Sequence, residues 1–349
     1  MKQTTFTTTL LSASIVAAIS LASTVSAQTS SVTLFGVVDV GVARVTGTGV
    51  SRVGVSTGGA NISRWGMRGT EELGSGIKAS FWLEGGFDPD TGAIKNVGTT
   101  PSIFNRRAAV SLSGGFGEVR LGRDDAATFL STLIFDPFLT NGVGGNNAFI
   151  MQGGPIQLSN TVSYFLPPDL GGFYGQAQLA FGEQPSNAVN SKQGNYVGAR
   201  VGYRAGPLNA AFATGKLKGA AAVNDNTINN IGVSYDFGVV RPSLLWATEK
   251  VGSNKITATE LGVTAPVGSG EIRAQVSRYD TSGNSVDWNK YAIGYGYNFS
   301  KRTQLYGTYA YVSNKAGAQR SIGVQGLAAT GTTLGGRSTG LELGLRHNF

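Results

Sequence analysis

The sequence predicts an all-β protein, a sixteen-stranded antiparallel transmembrane β-barrel, and three observations lead to that prediction. Apolar and polar residues alternate through most of the chain, which is the period of a strand whose two faces meet different surroundings. The chain holds 52 glycines and only 14% charged residues, a composition that penalises helices and suits strands joined by tight turns. Tight connections also alternate with long ones, an asymmetry typical of barrels that cross a membrane.

Residues 1–27 are predicted to be a cleaved secretory signal peptide. One lysine precedes an apolar run around Leu10–Leu21, and a Val-Ser-Ala sequence ending at Ala27 offers small residues to the signal peptidase. A retained membrane anchor is the alternative, but the apolar run is short and is interrupted by serines. The mature chain is therefore expected to be 28–349, exported without any cysteine for disulfides.

The alternating pattern divides the mature chain into sixteen strands and shows no boundary between domains. In the first strand Val32, Leu34 and Val38 share one face, while Thr33 and Asp39 share the other. A long loop at 47–61 is expected between the first two strands. The predicted strands cover residues 32–42, 64–69, 77–84, 107–112, 118–124, 161–166, 173–181, 196–204, 208–215, 228–237, 240–249, 256–265, 271–279, 291–299, 303–312 and 340–349.

The two faces of these strands favour a membrane barrel over a soluble sandwich or a β-solenoid. One face carries large apolar residues, whereas the other carries mainly Gly, Ala, Ser, Thr, Asn and Gln with scattered Arg and Glu. A sandwich would bury a second layer of large apolar side chains, which the pattern lacks. Apolar residues facing outward and polar residues facing inward are expected of a barrel in lipid, and sixteen strands leave room for water inside.

Residues 125–158 break the alternation. This stretch contains the acids Asp125 and Asp136, no base, and a series of apolar residues that includes Phe129 and Phe135. A loop of this length inside a compact fold is unusual and tends to be functional, and its apolar content argues against disorder. We expect it to fold into the interior of the barrel and narrow it.

Four stretches of the chain together resemble a known family. They are SVTLFGVVDVGV, RWGMRGTEELGSGIKASFWLEGGF, AAVSLSGGFGEVRLGR and the C-terminal GLELGLRHNF. The chain resembles the trimeric general diffusion porins of the Gram-negative outer membrane, of the betaproteobacterial type, over nearly all of its mature length. The resemblance implies a passive diffusion channel for small hydrophilic solutes and ions, without a cofactor, in which the third external loop folds into the lumen as a constriction at about 125–158.

The resemblance also implies partners for the chain. It implies a homotrimer, with Arg123 at the subunit interface, in contact with the lipids of the outer membrane. The C-terminal strand ending at Phe349 resembles the signal that the barrel-assembly machinery reads. The net charge of +8 favours contact with anionic lipopolysaccharide, but the bases are spread through the strands, so nucleic-acid binding is not expected.

Acids at the constriction loop are expected to face bases on the barrel wall. The resemblance implies that the acids are Asp125 and Asp136 on the loop, with Asp124 at its root, and side-chain parity places Asp124 on the same face as Arg120. The wall positions at the constriction are Arg64, Arg68, Arg106, Arg107, Arg120 and Gln157, with Arg200, Arg204, Arg241 and Arg273 farther along the sheet. Arg106 falls on the outward phase, so a small irregularity at the start of its strand is needed to turn it inward.

Two positions depart from the family pattern in the direction of less positive charge. Gln157 stands where relatives often carry an arginine, and Val37 stands where some relatives carry a base that faces the lumen. Because a ladder of bases opposed by acids acts as a charged filter, fewer bases predict only a weak preference for anions.

Other functional classes find less support in the sequence. An outer-membrane enzyme would need a catalytic constellation, whereas the only histidine is His347, close to the C-terminus, and no metal-ligand spacing is present. We therefore expect neither catalysis nor a metal site. A barrel with a mainly adhesive or structural role, acting through its external loops, remains the alternative to the channel.

Overall fold

The computed structural model of the protein describes residues 31–315 and 317–349. The predicted signal peptide at 1–27 lies outside the described residues. The described chain is almost entirely β-structure. The strands, in chain order, are β1 (Ser31–Gly47), β2 (Val50–Thr57), β3 (Arg64–Gly74), β4 (Ile77–Asp88), β5 (Ala93–Ile94), β6 (Asn96–Val97), β7 (Thr100–Pro101), β8 (Arg107–Gly114), β9 (Gly117–Asp125), β10 (Gln157–Phe165), β11 (Phe173–Ala180), β12 (Tyr196–Ala205), β13 (Leu208–Leu217), β14 (Asn226–Tyr235), β15 (Arg241–Val251), β16 (Asn254–Val267), β17 (Gly270–Thr281), β18 (Trp288–Asn298), β19 (Thr303–Asn314) and β20 (Arg337–Asn348). One α-helix, α1 (Ala127–Phe135), follows β9, and a 3-10 turn spans Ala222–Asn224.

Hydrogen bonding closes the sheet into a barrel of sixteen antiparallel strands. The two halves of β1 pair with β3 and with β2 respectively, so β2 and β3 are two parts of one interrupted strand. β20 pairs with β1 from Val37↔Asn348 to Thr46↔Thr339 and closes the barrel. The short strands β5, β6 and β7 belong to the long connection between β4 and β8. The predicted sixteen-stranded barrel is confirmed.

The first connection of the barrel is shorter than the loop expected at 47–61. A tight turn at Gly49, which has a φ of 71°, leads directly into β2, and glycine adopts this left-handed conformation without strain. The break between β2 and β3 is held by Asp39, whose Oδ2 accepts the N–H groups of Ala60 at 2.9 Å and Asn61 at 2.7 Å. Only Val53 and Val55 alternate with smaller residues in β2, and this alternation is too short to predict a strand.

The two faces of the barrel differ sharply in exposure. Large apolar side chains such as Leu179, Phe212 and Ile231 are between 42% and 50% exposed, and we call their side the exposed apolar face. The residues that alternate with them, such as Gln178 and Asn230, are buried, and we call their side the buried polar face. A barrel in lipid is expected to turn its apolar face outward.

The β9–β10 segment, defined as residues 126–156, lies against the buried polar face. Its helix α1 contacts β11 through β15. Asn230 donates from Nδ2 to the carbonyl oxygen of Thr128 at 2.8 Å. A side chain on Gly232 would overlap the ring of Phe135, so the absence of a Cβ atom on β14 lets the helix approach closely.

Helix α1 was not predicted, because its sequence carries few of the usual signals. Ala126 offers no side-chain hydrogen bond to the first turn, and no acid lies in that turn. The helix ends at Phe135 because Pro137 follows, and the residue before a proline is driven out of helical backbone geometry. Asp136 accordingly has a ψ of 124°. No helix in the described part of the chain is both long enough and apolar enough to cross a bilayer.

An apolar core lies between the β9–β10 segment and the wall that it contacts. Phe135, Phe138 and Val143 of the segment are almost completely buried against Leu245 and Tyr279 of the barrel strands. Burial of apolar surface on this scale stabilises the position of the segment.

Candidate functional site

Asp124 is the centre of the largest charge cluster on the buried polar face. Arg107 on β8 donates from Nε to Asp124 Oδ1 at 2.6 Å, and Arg120 on β9 donates from Nη1 to Oδ2 at 2.5 Å. Asp124 is only 2% exposed, so the two guanidinium groups compensate for the loss of its hydration. The strand period predicted that these three residues share a face, and the structure places them in direct contact.

Asp125 extends this cluster at the point where β9 meets β10. Its Oδ2 receives Arg107 Nη2 at 3.3 Å, and its Oδ1 receives Gln157 Nε2 at 2.9 Å. Asp125 and Gln157 are also paired in register across the two strands. Gln157 therefore completes the hydrogen bonding of the carboxylate without adding a positive charge.

Glu84 on β4 binds two further predicted arginines and was not itself predicted. Its Oε1 lies 2.6 Å from Arg106 Nε and 3.4 Å from Arg64 Nε, and its Oε2 accepts Trp82 Nε1–H at 3.0 Å. Glu84 ends the predicted strand 77–84, but its partners depend on the register of β4 with β3 and β8, which alternation does not determine.

Arg106 turns inward through the irregularity that its position required. It precedes β8 and follows Asn105, whose side chain pairs with the backbone N–H and carbonyl of Gly86 at 3.0 Å each. This side-chain pairing replaces the regular ladder, and Arg106 reaches Glu84 even though strand phase alone would point it outward.

Arg68 is supported by aromatic rings instead of acids. Its guanidinium carbon lies 5.0 Å from the ring centroid of Trp82 and 5.4 Å from that of Phe35. Arg107 lies 4.7 Å from the same Trp82 ring. Among the described residues Arg68 forms no ion pair, and it is exposed. Its full charge is therefore available to solvent.

The cluster as a whole comes close to charge balance. Arg120 has a second partner in Glu118, at 2.8 Å from Nη2. Five arginines stand against four carboxylates, and the surplus charge is the one on Arg68. The members are Arg64, Arg68, Arg106, Arg107 and Arg120 with Glu84, Glu118, Asp124 and Asp125. In the following, these nine residues are called the arginine cluster.

Asp136 lies away from the arginine cluster. It is 1% exposed and accepts the N–H groups of Phe138, Thr140 and Asn146, each at 2.8 Å. Burial raises the pKa of Asp136 above its ordinary value, although these three N–H groups and the nearby ammonium group of Lys290 favour the ionised form. Its visible role in the structure is to hold the turn that follows α1.

Acidic wall residues that the sequence did not single out hold the rest of the β9–β10 segment. Glu249 on β15 accepts the N–H groups of Met151 at 3.0 Å, Gln152 at 2.8 Å and Gly154 at 3.0 Å. Glu342 on β20 similarly accepts the N–H of Val143 at 3.1 Å. A signal for them exists in the parity of their strands, which places a carboxylate on the buried face.

The remaining predicted residues are dispersed. Arg123 donates to the carbonyl oxygen of Asn105 at 2.6 Å and to Ser159 Oγ at 2.8 Å, both within its own chain. Phe349 exchanges two backbone hydrogen bonds of 3.0 Å with Gly36 on β1. The arginines farther along the sheet have separate surroundings: Arg200 and Arg204 near Tyr174, Arg273 with Glu271, and Arg241 exposed.

Three comparisons with known proteins agree with the barrel fold. Residues 12–317 match a protein family described as Gram-negative porin. The outer membrane porin protein 32 of Delftia acidovorans is 38% identical over 310 residues, covering 84% of this chain and 87% of that protein. The anion-selective porin from Comamonas acidovorans has a TM-score of 0.84 at 38% identity, covering 92% of this chain and 100% of that one. OmpT of Vibrio cholerae in its trimer form, with a TM-score of 0.65 at 15% identity, covering 92% of this chain and 99% of that one, shares the fold.

Proposed function

Because the chain belongs to the Gram-negative porin family, we propose that it is a passive diffusion channel for small hydrophilic solutes and ions with a weak preference for anions. The protein is a β-barrel of the bacterial outer membrane. The observation that carries the anion preference is the arginine cluster, in which five guanidinium groups face four carboxylates and Arg68 has no acidic partner among the described residues.

The proposed lumen is the space bounded by the buried polar face, and the β9–β10 segment is its constriction. In support, the segment starts and ends at the neighbouring strands β9 and β10, yet it reaches the polar side chains of distant strands. It contacts Gln178 on β11, Glu249 on β15, Lys290 on β18 and Glu342 on β20. A chain segment with such contacts inside a closed barrel would narrow the path of a solute.

The sign and the strength of the selectivity follow from the balance of charge. A wall rich in guanidinium groups attracts anions, while adjacent carboxylates cancel most of that field over a few ångströms. The surplus at Arg68 and the uncharged Gln157 then favour a weak anion preference rather than a strong one. The relative from Comamonas acidovorans is named as anion-selective, which supports the sign.

The proposal includes a homotrimer in contact with outer-membrane lipids and lipopolysaccharide. The trimer form described for OmpT of Vibrio cholerae supports this assembly. We place Arg123 near the subunit interface and Phe349 in the signal for the barrel-assembly machinery. The ends of β1 and β20 are joined through Phe349 and Gly36, so this residue also contributes to closing the barrel.

Single-channel recording in planar bilayers tests the proposal. The purified protein should produce stepwise conductance, and a gradient of potassium chloride should give a small reversal potential of the sign set by chloride. A protein that gives no conductance steps would refute the channel. A reversal potential of the sign set by potassium would refute the anion preference while leaving the channel intact.

A further inference from the structure

We propose that the exposed face of β13–β16 binds the phosphate groups of lipopolysaccharide in the outer leaflet, at the barrel end that carries the long connections 218–225 and 315–336 and the two-residue turn between β15 and β16. The inference rests on the proposed function for its orientation, because long loops of such barrels lie outside the cell. Lys216, Lys250 and Lys255 form the cationic part of this site.

Strand register brings these lysines into one row that crosses four neighbouring strands. Lys216 pairs with Thr227 of β14, Thr227 pairs with Lys250 of β15, and Lys250 pairs with Lys255 of β16. Glu249 and Ile256, the chain neighbours of the last two, are buried on the polar face, so the lysines belong to the opposite, exposed face. Neighbouring strands lie about 4.8 Å apart, and the row therefore extends over roughly 14 Å.

The row carries more positive charge than the surrounding protein neutralises. Lys216 and Lys218 share Asp225 Oδ2, at 3.2 Å and 2.8 Å. Lys250 and Lys255 form no ion pair within the described residues, although they stand directly opposite each other. Like charges at such a cross-strand position repel, and a bound anion between them would turn this repulsion into attraction.

The chemistry of the same surface changes in steps toward the middle of the barrel. Successive rows on this face lie two residues apart, or roughly 7 Å along the strands. The row below the lysines offers hydroxyl and amide groups from Thr214, Asn229 and Thr257, whereas Thr248 of the same row is buried. The next row is apolar and aromatic over three strands, with Phe212, Ile231 and Trp246 exposed by 42%, 50% and 36%.

This order of cations, hydrogen-bonding groups and apolar side chains matches one occupant better than the others. A lipid built on a phosphorylated sugar presents phosphates, then sugar hydroxyls and amides, then acyl chains. Free phosphate would use the lysines alone. A phospholipid with one phosphate would not use the full width of a row that spans four strands, whereas a disaccharide with a phosphate at each end would.

Native mass spectrometry of the folded, full-length protein in detergent, with bisphosphorylated lipid A added, tests the site. The variant Lys250→Gln/Lys255→Gln should bind this lipid roughly 25-fold more weakly, because each lysine near an anionic lipid surface contributes about fivefold in affinity. Lys250→Arg/Lys255→Arg keeps the charge and should bind normally. Lys301→Gln/Arg302→Gln removes the same charge at the tight-turn end of the barrel, and it should also bind normally.

Several outcomes would overturn the site. These are equal binding by Lys250→Gln/Lys255→Gln, equal loss in the tight-turn variant, equal binding of dephosphorylated lipid A or phosphatidylglycerol, or displacement of lipid A by inorganic phosphate. Conductance of the same variants separates this inference from the channel. If the lysine variant forms normal pores and keeps normal lipid binding, the lipid site fails while the proposed function stands.

Discussion

Charged residues on the buried polar face behave differently on the two sides of the barrel. In the arginine cluster, guanidinium groups meet carboxylates and aromatic rings through side chains, and Arg68 remains exposed. Where the β9–β10 segment is held, carboxylates such as Glu249, which is 0% exposed, meet backbone N–H groups. The first arrangement leaves positive charge exposed, which the proposed function uses on passing solutes, whereas the second uses negative charge to fix the segment in place. Residue type alone does not separate the two roles; partners and exposure do.

The largest expected effect on stability comes from removing the carboxylate of Glu249, which holds the β9–β10 segment. Replacing Glu249→Ala leaves the N–H groups of Met151, Gln152 and Gly154 without their acceptor. We expect the free energy of unfolding, measured by urea titration in detergent, to fall by about 3 kcal/mol. Released residues 151–154 should also make the single-channel current noisier.

The matched control for this substitution is Glu271→Ala, which removes a carboxylate that pairs with the side chain of Arg273 instead of the backbone. That variant should lose less than about 1 kcal/mol, as is usual for a partly exposed ion pair. Equal losses in the two variants would show that the backbone contacts of Glu249 have no special weight.

Within the arginine cluster, Arg68 is the residue whose removal should most change the ion selectivity. Arg68→Gln takes away the one guanidinium of the cluster that has no acidic partner among the described residues. We expect the chloride-to-potassium permeability ratio to fall roughly twofold, with little change in stability. Arg278→Gln, which removes an exposed arginine paired with Asp280, should leave the ratio unchanged. A matching fall in both variants would assign the selectivity to net charge rather than to the cluster.

A smaller change in ion selectivity, toward stronger anion preference, is expected from a substitution at Gln157. Gln157→Arg adds a base beside Asp125, to which Gln157 Nε2 already donates at 2.9 Å. Anion preference should rise, but by less than Arg68 contributes, because Asp125 would neutralise part of the new charge. Adding Asp125→Asn should enlarge the rise, as read from reversal potentials. An unchanged potential in the double variant would place position 157 outside the narrow part of the channel.

The smallest expected effect concerns Asp225, an acid in the connection between β13 and β14, outside both regions. A hydrogen bond from Lys218 lowers the pKa of Asp225 from 3.8 to about 2. Its contribution to stability is therefore present above pH 3.8 and is lost as the pH falls through about 2. The unfolding temperature of the wild type should fall slightly more than that of Asp225→Asn over this interval. Parallel curves would contradict the assignment.

The sequence predicted most of the barrel but only part of the site. There are physical reasons why some features could be predicted and others could not. A strict period of two identifies both faces, so Arg107, Arg120 and Asp124 could be assigned to one face before their contacts were known. Register decides which residues stand opposite each other, and alternation leaves it open, so Glu84 was missed as a partner. Asp136 lies in a stretch without any period, where nothing in the sequence indicates which N–H groups surround it.

Chemical modification of Arg68→Cys during single-channel recording would show whether the arginine cluster lines the conducting path, because the chain contains no other cysteine. A positively charged thiol reagent should restore anion preference, and a negatively charged one should reverse the potential toward cations. The same reagents on Arg278→Cys should change nothing. If neither reagent alters the current through Arg68→Cys, the arginine cluster does not line the conducting path and does not set the ion selectivity.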